Sequence, residues 1–378
     1  MRLPLLIGLA PIAIAAAVAA GAASAASSVV GHVYVNDNTA GVNTIAGFDR
    51  HADGTLTPLA GSPFAAGGAG TGVGIGSQGA LQITSDGNYL LAVDAGSNQI
   101  SVLRIGPDGG LKPVGGGPVS SGGTEPVSIA VHDNLVYVAN AGNGGSDYAG
   151  FTLNPGGHLR PLAGSTVTLP DGSTPGDVLF NSDGTKLVGT RVGSSLIDSF
   201  TVGADGRLTA AAGSPFPAQG AGPFGSEFRP TDPTELYVSN AHGGAGNGTV
   251  SAFDDGSDGT LTSIGSSPFA DLQTAPCWIE ISKDGLFLFT VNTASNSISR
   301  YAIGSDGSLG LLGSTPLSTA QAGAEDVRLG PGGRTLWVVD TGARAISAFA
   351  VDGGNLTELS SSPTALPAGS APFGIVVT

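Results

Sequence analysis

The chain is poor in cysteine and in positive charge. Its 378 residues include a single cysteine, Cys277, so a disulfide bond within the chain is excluded. Only 14 lysines and arginines stand against 29 aspartates and glutamates, which gives a formal net charge of −15. A surface of that sign repels phosphate backbones and anionic lipids, so nucleic acid and acidic membrane surfaces are excluded as expected partners. The fold must be held by burial of apolar surface.

Recognisable catalytic and cofactor motifs are also missing. The sequence has no Ser/His/Asp arrangement, no zinc-ligand spacing and no glycine-rich phosphate-binding loop. The stretch DDGSDG at 254–259 begins like a calcium loop but lacks the bidentate glutamate that should follow, so it predicts a turn. We therefore expect no cofactor and no resident metal.

The N-terminal segment is typical of a secretory signal. Arg2 precedes an apolar run from Leu3 to Ala20, and Ala23-Ser24-Ala25 provides a small-residue cleavage site. We expect residues 1–25 to be a signal peptide and the mature protein to be secreted or held in the cell envelope. An uncleaved anchor is the alternative, because the run approaches the roughly 20 apolar residues that span a bilayer. We expect no integral membrane domain beyond this segment.

Glycine is abundant, with 63 residues, and it marks an internal repeat. Three related stretches read DGTLTPLAGSPF (53–64), DGRLTAAAGSPF (205–216) and DGTLTSIGSSPF (258–269). The leucine after the glycine turn recurs seven times, 47 to 55 residues apart, at Leu56, Leu111, Leu159, Leu208, Leu261, Leu309 and Leu356. Each unit reads as two hairpins of short β-strands, which predicts a propeller blade and not a helical solenoid.

The two ends of the repeat region complete each other. The region begins with a second-strand sequence, GHVYVND at 31–37, and ends with a first-strand sequence, APFGIVVT at 371–378. We predict an all-β, seven-bladed propeller of four-stranded blades over residues 29–378, in which strand 372–378 completes the first blade. Closing the ring removes sheet edges that would invite association, so we expect a monomer.

The seven units, with YVAN at 137–140 and YVSN at 237–240, resemble the seven-bladed propeller lactonase family. That family includes 6-phosphogluconolactonase and muconate-cycloisomerase-like proteins, and YVTN surface-layer propellers are similar. The resemblance implies an active site that uses the Arg and His of a Gly-Pro-Arg-His motif. This chain reads AGPFGSEFRP at 221–230, so Phe224 and Gly225 stand at those two positions, and Arg229 replaces a later His.

Strand parity identifies a second group of candidate residues. Alternate positions of the innermost strands are apolar in 13 of 14 cases, so the opposite positions should face the central channel. All ionisable residues there fall in the fourth to seventh blades, which predicts a polar site on one side of the channel. Candidate acid and base groups are Asp177, Asp326 and His242, and candidate ligand-binding residues are Trp278, Glu227, Glu280 and Arg328.

Two of these expectations stay open between alternatives. Trp278 is either an aromatic platform for a sugar ring or a plug between blades. Glu280 lies at the same level as Glu227 and Arg328, which predicts an ion pair with Arg328 that leaves Glu227 solvated or near Arg229, or else a calcium site formed by both glutamates.

The sequence favours a binding function over catalysis. The first hypothesis is an exported lactonase-like propeller that binds a sugar, a lactone or a cell-envelope partner without a recognisable catalytic constellation. The alternative is an enzyme that hydrolyses a sugar-derived lactone, as the resemblance implies.

Overall fold

The computed structural model describes Met1 and residues 27–319, 321 and 323–378. The expected signal peptide, apart from Met1, lies outside the described residues. Within the described part of the chain, no helix is both long enough and apolar enough to cross a membrane.

Seven antiparallel sheets form the blades, and the first three follow the chain from Val29. Blade 1 contains β1 (Val29–Asn36), β2 (Gly41–His51), β3 (Leu56–Pro58) and β4 (Phe64–Gly70). Blade 2 contains β5 (Leu81–Ile83), β6 (Tyr89–Asp94), β7 (Gln99–Ile105), β8 (Leu111–Pro113) and β9 (Val119–Ser120), with a short 3-10 helix at Ala95–Ser97. Blade 3 contains β10 (Pro126–His132), β11 (Leu135–Asn140), β12 (Asp147–Leu153), β13 (Leu159–Pro161) and β14 (Val167–Thr168).

The other four blades repeat this order. Blade 4 contains β15 (Pro175–Phe180), β16 (Lys186–Arg191), β17 (Leu196–Val202), β18 (Leu208–Ala210) and β19 (Phe216–Pro217). Blade 5 contains β20 (Pro223–Arg229), β21 (Asp232–Asn240), β22 (Thr249–Asp255), β23 (Leu261–Ser263) and β24 (Phe269–Ala270). Blade 6 contains β25 (Pro276–Ile281), β26 (Phe287–Asn292), β27 (Ser297–Ile303) and β28 (Leu309–Pro316). Blade 7 contains β29 (Ala324–Leu329), β30 (Thr335–Asp340), β31 (Ala345–Asp352), β32 (Asn355–Glu358) and β33 (Thr364–Ala365). The last strand, β34 (Ile375–Val377), joins blade 1.

The predicted fold class is confirmed, with one refinement of the blades. Six of the seven sheets have five strands because the outer position is divided between two short pieces that both pair with the third strand of the blade. In blade 6, β28 fills that position as one strand with a register shift. The seven repeated leucines all lie in the outer strands, as the periodicity predicts.

The repeated AGSPF segment forms the bend between the two outer pieces. After the bend, Phe64 pairs with Ile45 and Phe216 pairs with Ile197, so the phenylalanine returns the chain to the third strand. The serine hydroxyl accepts a hydrogen bond from a backbone N–H of that same strand in four blades: Ser62 from Gly47 (2.8 Å), Ser214 from Ser199 (3.0 Å), Ser267 from Ala252 (2.7 Å) and Ser362 from Ala348 (3.1 Å). The segment recurs because it satisfies a strand amide at the bend, where ladder pairing is interrupted.

The last strand closes the ring. β34 pairs with β1 in the antiparallel register Val33 to Val377 and Val35 to Ile375. Beyond the strand, Thr378 Oγ1 accepts a hydrogen bond from the His32 N–H at 2.9 Å, and Arg50 donates to the Thr378 carbonyl. Ile375 is fully buried in the core between blades 7 and 1, so closure buries apolar surface as well as pairing backbone groups.

Deleting residues 371–378 should therefore cause unfolding or aggregation. The deletion exposes the edge of β1 that β34 covers and removes Phe373 and Ile375 from the core. Soluble yield and thermal unfolding followed by circular dichroism measure the effect. Thr378→Ala, which removes only a side-chain hydrogen bond, is the matched control and should stay soluble; a soluble deletion variant with unchanged melting would contradict the closure.

Candidate functional site

The candidate site lies where the channel opens on the face that carries the start of each innermost strand, here called the site face. In blades 3 to 7 the register of the innermost strand shifts just after its first residue, for example between Pro126 and Ser128 and between Pro276 and Trp278. Such β-bulges re-aim side chains and are frequent beside functional sites. The residues that follow the first residue of the strand at this bulge are Val127, Gly176, Phe224, Cys277 and Glu325.

The channel mouth is closed by the chain's own loop at 71–80. Gln78 holds the loop across three blades: its backbone N–H donates to Gly176 O (2.9 Å), its Nε2 donates to Ser226 O (2.9 Å), and its Oε1 accepts from the Ile279 N–H (2.9 Å). The side chain is only 3% exposed, and all of its polar atoms are satisfied. The sequence reasoning missed this loop because it lies between blades 1 and 2, outside the repeat.

Trp278 is a plug and not an exposed platform. Its side chain is 2% exposed, its Nε1 donates to Ser77 O (2.6 Å), and its ring packs edge-on against Phe224, with ring centroids 5.1 Å apart. Phe373 packs on it at 6.3 Å. The platform alternative is wrong because loop 71–80 covers the indole and accepts its hydrogen bond.

The positions that the resemblance assigns to Arg and His are filled by packing. Phe224 is buried against Trp278. A Cβ atom on Gly225 would lie 2.2 Å from Gln78 Oε1 and 2.7 Å from Cys277 O, distances that real side chains do not adopt. Glycine at 225 is thus required by the loop that closes the mouth, and no catalytic side chain fits there.

Asp177 and Asp326 lie beneath this plug and are fully enclosed. Asp177 accepts hydrogen bonds from the Ser226 N–H (2.9 Å), Ser226 Oγ (2.7 Å) and Ser128 Oγ (3.1 Å). Asp326 accepts from the backbone N–H groups of Val327 (2.9 Å) and Ile375 (3.3 Å). Burial raises the pKa of Asp177 to about 7 and that of Asp326 to about 6. Both carboxyl groups join neighbouring blades, and neither reaches the site face.

The next level of the channel holds Glu227, Glu280 and Arg328. Arg328 Nη1 donates to Glu280 Oε2 at 3.0 Å, as the sequence predicts, and Glu280 Oε1 accepts from the Leu329 N–H at 2.8 Å. Glu227 Oε2 is buried without a hydrogen-bond partner among the described residues. Burial, and then the charge of Glu280, raise the pKa of Glu227 well above its usual value.

Glu227 is not solvated or paired with Arg229, so that part of the expectation is wrong. Arg229 instead binds Glu235 at 2.8 Å and the Gly285 carbonyl at 2.8 Å, at the other end of β20. Among the described residues, no three His, Cys, Asp or Glu side chains converge so as to hold a metal ion.

His242 lies apart from the two aspartates. It is exposed in the loop after β21, and its ring packs beside Gly222, where a Cβ would lie 2.5 Å from His242 Cγ. Because Asp177 and Asp326 are enclosed below the loop, the structure does not bring the three predicted acid and base residues into one site.

Glu325 is a rim residue that the sequence reasoning missed. Thr341 Oγ1 lies 2.7 Å from Glu325 Oε2 and 2.8 Å from the carbonyl of Pro372. The Thr341 hydroxyl is the donor to both oxygens, so it lies between the carboxyl group and the Pro372 carbonyl. Burial raises the pKa of Glu325 to about 8, against the opposing effect of the Thr341 hydrogen bond. Glu325 is therefore a half-buried acid at the rim whose pKa is raised toward neutral pH.

Cys277 is the rim neighbour of Glu325 in the adjacent blade. It is 7% exposed, and burial raises the pKa of its thiol to about 12. Since the thiolate is the reactive form, Cys277 is a packed side chain and not a nucleophile. The parity rule could not find either residue, because the β-bulge interrupts the alternation at this position.

Glu227→Gln should stabilise the protein at neutral pH. A carboxyl group whose pKa is raised by folding binds its proton more tightly in the folded state, so the free energy of unfolding falls as pH rises above the unfolded pKa. The amide removes this loss, so we expect a higher melting temperature than the wild type at pH 8 and a difference that shrinks toward pH 4. Thermal unfolding at both pH values measures it.

Asp306→Asn is the control for the change in net charge. Asp306 is fully exposed, and hydrogen bonds from Ser308 lower its pKa, so its removal should give no stabilisation at pH 8. An equal gain in both variants would mean that relief of net charge, and not the buried site of Glu227, causes the effect.

Comparison with known proteins agrees with this architecture. A family model described as a 7-bladed β-propeller lactonase matches residues 187–376, while no curated protein sequence matches the chain. A solved structure from Bacteroides uniformis, named as a candidate 6-phosphogluconolactonase, is 21% identical, covers 91% of this chain and 98% of its own, and superposes with a TM-score of 0.73. The periplasmic gluconolactonase PpgL of Pseudomonas aeruginosa is 19% identical over 92% of this chain and 98% of its own, with a TM-score of 0.72. At these identities the two structures establish the fold, and the family match establishes membership: this chain belongs to the seven-bladed β-propeller lactonase family.

Proposed function

We propose that this protein is an exported propeller that binds a sugar-bearing ligand or a cell-envelope partner on its site face and does not hydrolyse lactones at the channel mouth. The observation that carries the proposal is the closed mouth. Gln78, Trp278 and Phe224 fill the space that a substrate would need, and Gly225 leaves no position for a catalytic side chain. Catalysis requires groups within hydrogen-bond reach of the substrate, and Asp177 and Asp326 lie below this layer.

Exposed apolar side chains on the site face support a binding role. Val42, Val73 and Leu272 are each more than 60% exposed, and all three lie in loops or strand starts on this face. Leu272 also has a backbone φ of 60°, a left-handed conformation that is uncommon for a residue other than glycine. Backbone strain combined with an exposed apolar side chain favours a contact residue over a structural one.

Hydrolysis of a sugar-derived lactone is the second candidate function. Membership of the family favours it, and so does the raised pKa of Glu325, which stands at the rim where a general acid could reach a bound ester. In this case Glu325 takes the role first assigned to Asp177, Asp326 and His242.

A lactone assay separates the two candidates. Purified protein is incubated with D-glucono-1,5-lactone and with 6-phosphogluconolactone, and ring opening is followed against the uncatalysed rate at pH 7. We expect no acceleration. Turnover that falls by roughly 100-fold or more in Glu325→Gln, the loss typical of a missing general acid, would replace the binding proposal with the hydrolase.

A binding measurement tests the proposal directly. Co-sedimentation with isolated cell-envelope polysaccharide should retain the wild type, and Leu272→Gly should weaken retention while leaving the melting temperature unchanged or higher, because glycine adopts φ of 60° without strain. Leu312→Gly, at an exposed leucine on the outer strand β28, is the matched control and should be retained as well as the wild type. Absence of wild-type retention, or equal retention of both variants, would contradict a binding surface at Leu272.

A further inference from the structure

A small basic pocket lies at the seam between blades 7 and 1, on the face opposite the site face. Its volume is about 220 Å³, below the range of drug-sized ligand pockets and suited to a small group. The hairpin between β29 and β30 forms one wall, and the start of β1 with the hairpin after β2 forms the other. Its lining includes Arg50, His51, Gly330, Arg334 and Trp337.

The pocket concentrates positive charge in a protein of net charge −15. Arg50 and Arg334 line it, and Lys283 approaches its wall by donating from Nζ to the Pro331 carbonyl at 2.7 Å. No aspartate or glutamate is among the described lining residues. Three of the 14 lysines and arginines thus surround one hairpin, where a local positive potential attracts anions despite the overall charge.

Several of these donors are free to bind a ligand. Arg50 uses Nε and Nη2 on the carbonyls of Thr378 and Val30, which fixes its guanidinium in place and leaves Nη1 available. The Arg334 side chain is exposed and forms no hydrogen bond or ion pair among the described residues. A fixed guanidinium beside a free one is an arrangement that binds phosphate or carboxylate oxygens through charge-assisted hydrogen bonds.

The indole N–H of Trp337 is a second sign of a ligand site, separate from the charges, because it lacks a hydrogen-bond acceptor. Its side chain is 1% exposed, and its Nε1 is buried without a hydrogen-bond partner among the described residues. An indole N–H only donates, and a buried unpaired donor costs free energy that an acceptor would recover. The other tryptophan of the chain, Trp278, does have its acceptor, Ser77 O.

The backbone leaves room beside this indole. A Cβ atom built on Gly330 would lie 3.7 Å from Trp337 Nε1 and 3.6 Å from Thr335 O, which is ordinary van der Waals contact. A methyl group on residue 330 would therefore fit beside the unpaired N–H, at a position that glycine leaves unfilled.

We propose that this pocket binds a small oxyanion, the phosphate or carboxylate group of a ligand. The anion accepts hydrogen bonds from Arg50 and Arg334, and one of its oxygens satisfies Trp337 Nε1. The site is separate from the site face, so the binding proposed there and this site stand or fall independently.

The two tryptophan indole N–H signals in a ¹⁵N-resolved NMR spectrum test the proposal. The mature chain is titrated at pH 7 with inorganic phosphate and with acetate, each against sodium chloride of the same ionic strength. The Trp337 signal should move and saturate with at least one of the two anions, while the Trp278 signal stays in place. If phosphate has the lower dissociation constant, the ligand group is a phosphate; if acetate has the lower one, it is a carboxylate.

Three variants complete the test. Arg334→Gln should weaken the binding at least about tenfold, and Gly330→Ala should weaken it without changing any charge, because the methyl group occupies the space beside Nε1. Arg160→Gln, at an exposed arginine of blade 3, is the matched control and should bind as the wild type does. A Trp337 signal that responds to both anions only as it does to chloride, or unchanged affinity in Arg334→Gln, would overturn the proposal.

Discussion

The hydrogen bonds of Gln78 are the constraint on which the rest of the candidate site depends. One side-chain amide joins blades 5 and 6 through Ser226 O and the Ile279 N–H, and its backbone N–H reaches blade 4. Because the loop at 71–80 is fixed there, Gly225 must lack a side chain, and the Trp278 indole is held against the loop by its hydrogen bond to Ser77 O. The family resemblance implies a catalytic site at the channel mouth. In this chain the same region is buried and forms part of the core.

Closure of the mouth also determines the electrostatics of the channel. Carboxyl groups that would be solvated in an open channel are enclosed, and burial raises the pKa of Asp177, Asp326, Glu227 and Glu280 together. Arg328 compensates one of them through its ion pair with Glu280. The acidic cluster that the sequence indicates as a functional site is therefore better explained as part of the channel lining, where burying the carboxyl groups costs folding free energy. Hydrogen bonds from Ser128, Ser226 and Leu329 to these carboxyl groups join neighbouring blades.

The repeat made the fold predictable, and departures from the repeat made the site unpredictable. The seven leucines, the alternation in the innermost strands and the unmatched strands at the two ends were enough to predict seven blades and their closure, and parity also predicted the Arg328 to Glu280 pair. Three features lay beyond reach. Loop 71–80 has no counterpart in other blades, and the β-bulge moves Glu325 and Cys277 out of parity. The indole N–H of Trp337 is buried without an acceptor as a result of tertiary packing, which no local sequence pattern indicates.

The central claim, that the chain closes its own channel mouth, is tested most directly by hydrogen exchange at the Ile279 amide. This N–H donates to Gln78 Oε1, whereas the Ser226 amide in the neighbouring blade donates to Asp177, which is not part of the loop. The closed mouth predicts equally slow exchange of both amides in the wild type and a selective acceleration of Ile279 in Gln78→Ala. Fast exchange of Ile279 beside a protected Ser226 in the wild type would show that the loop leaves the mouth open in solution and would contradict the account.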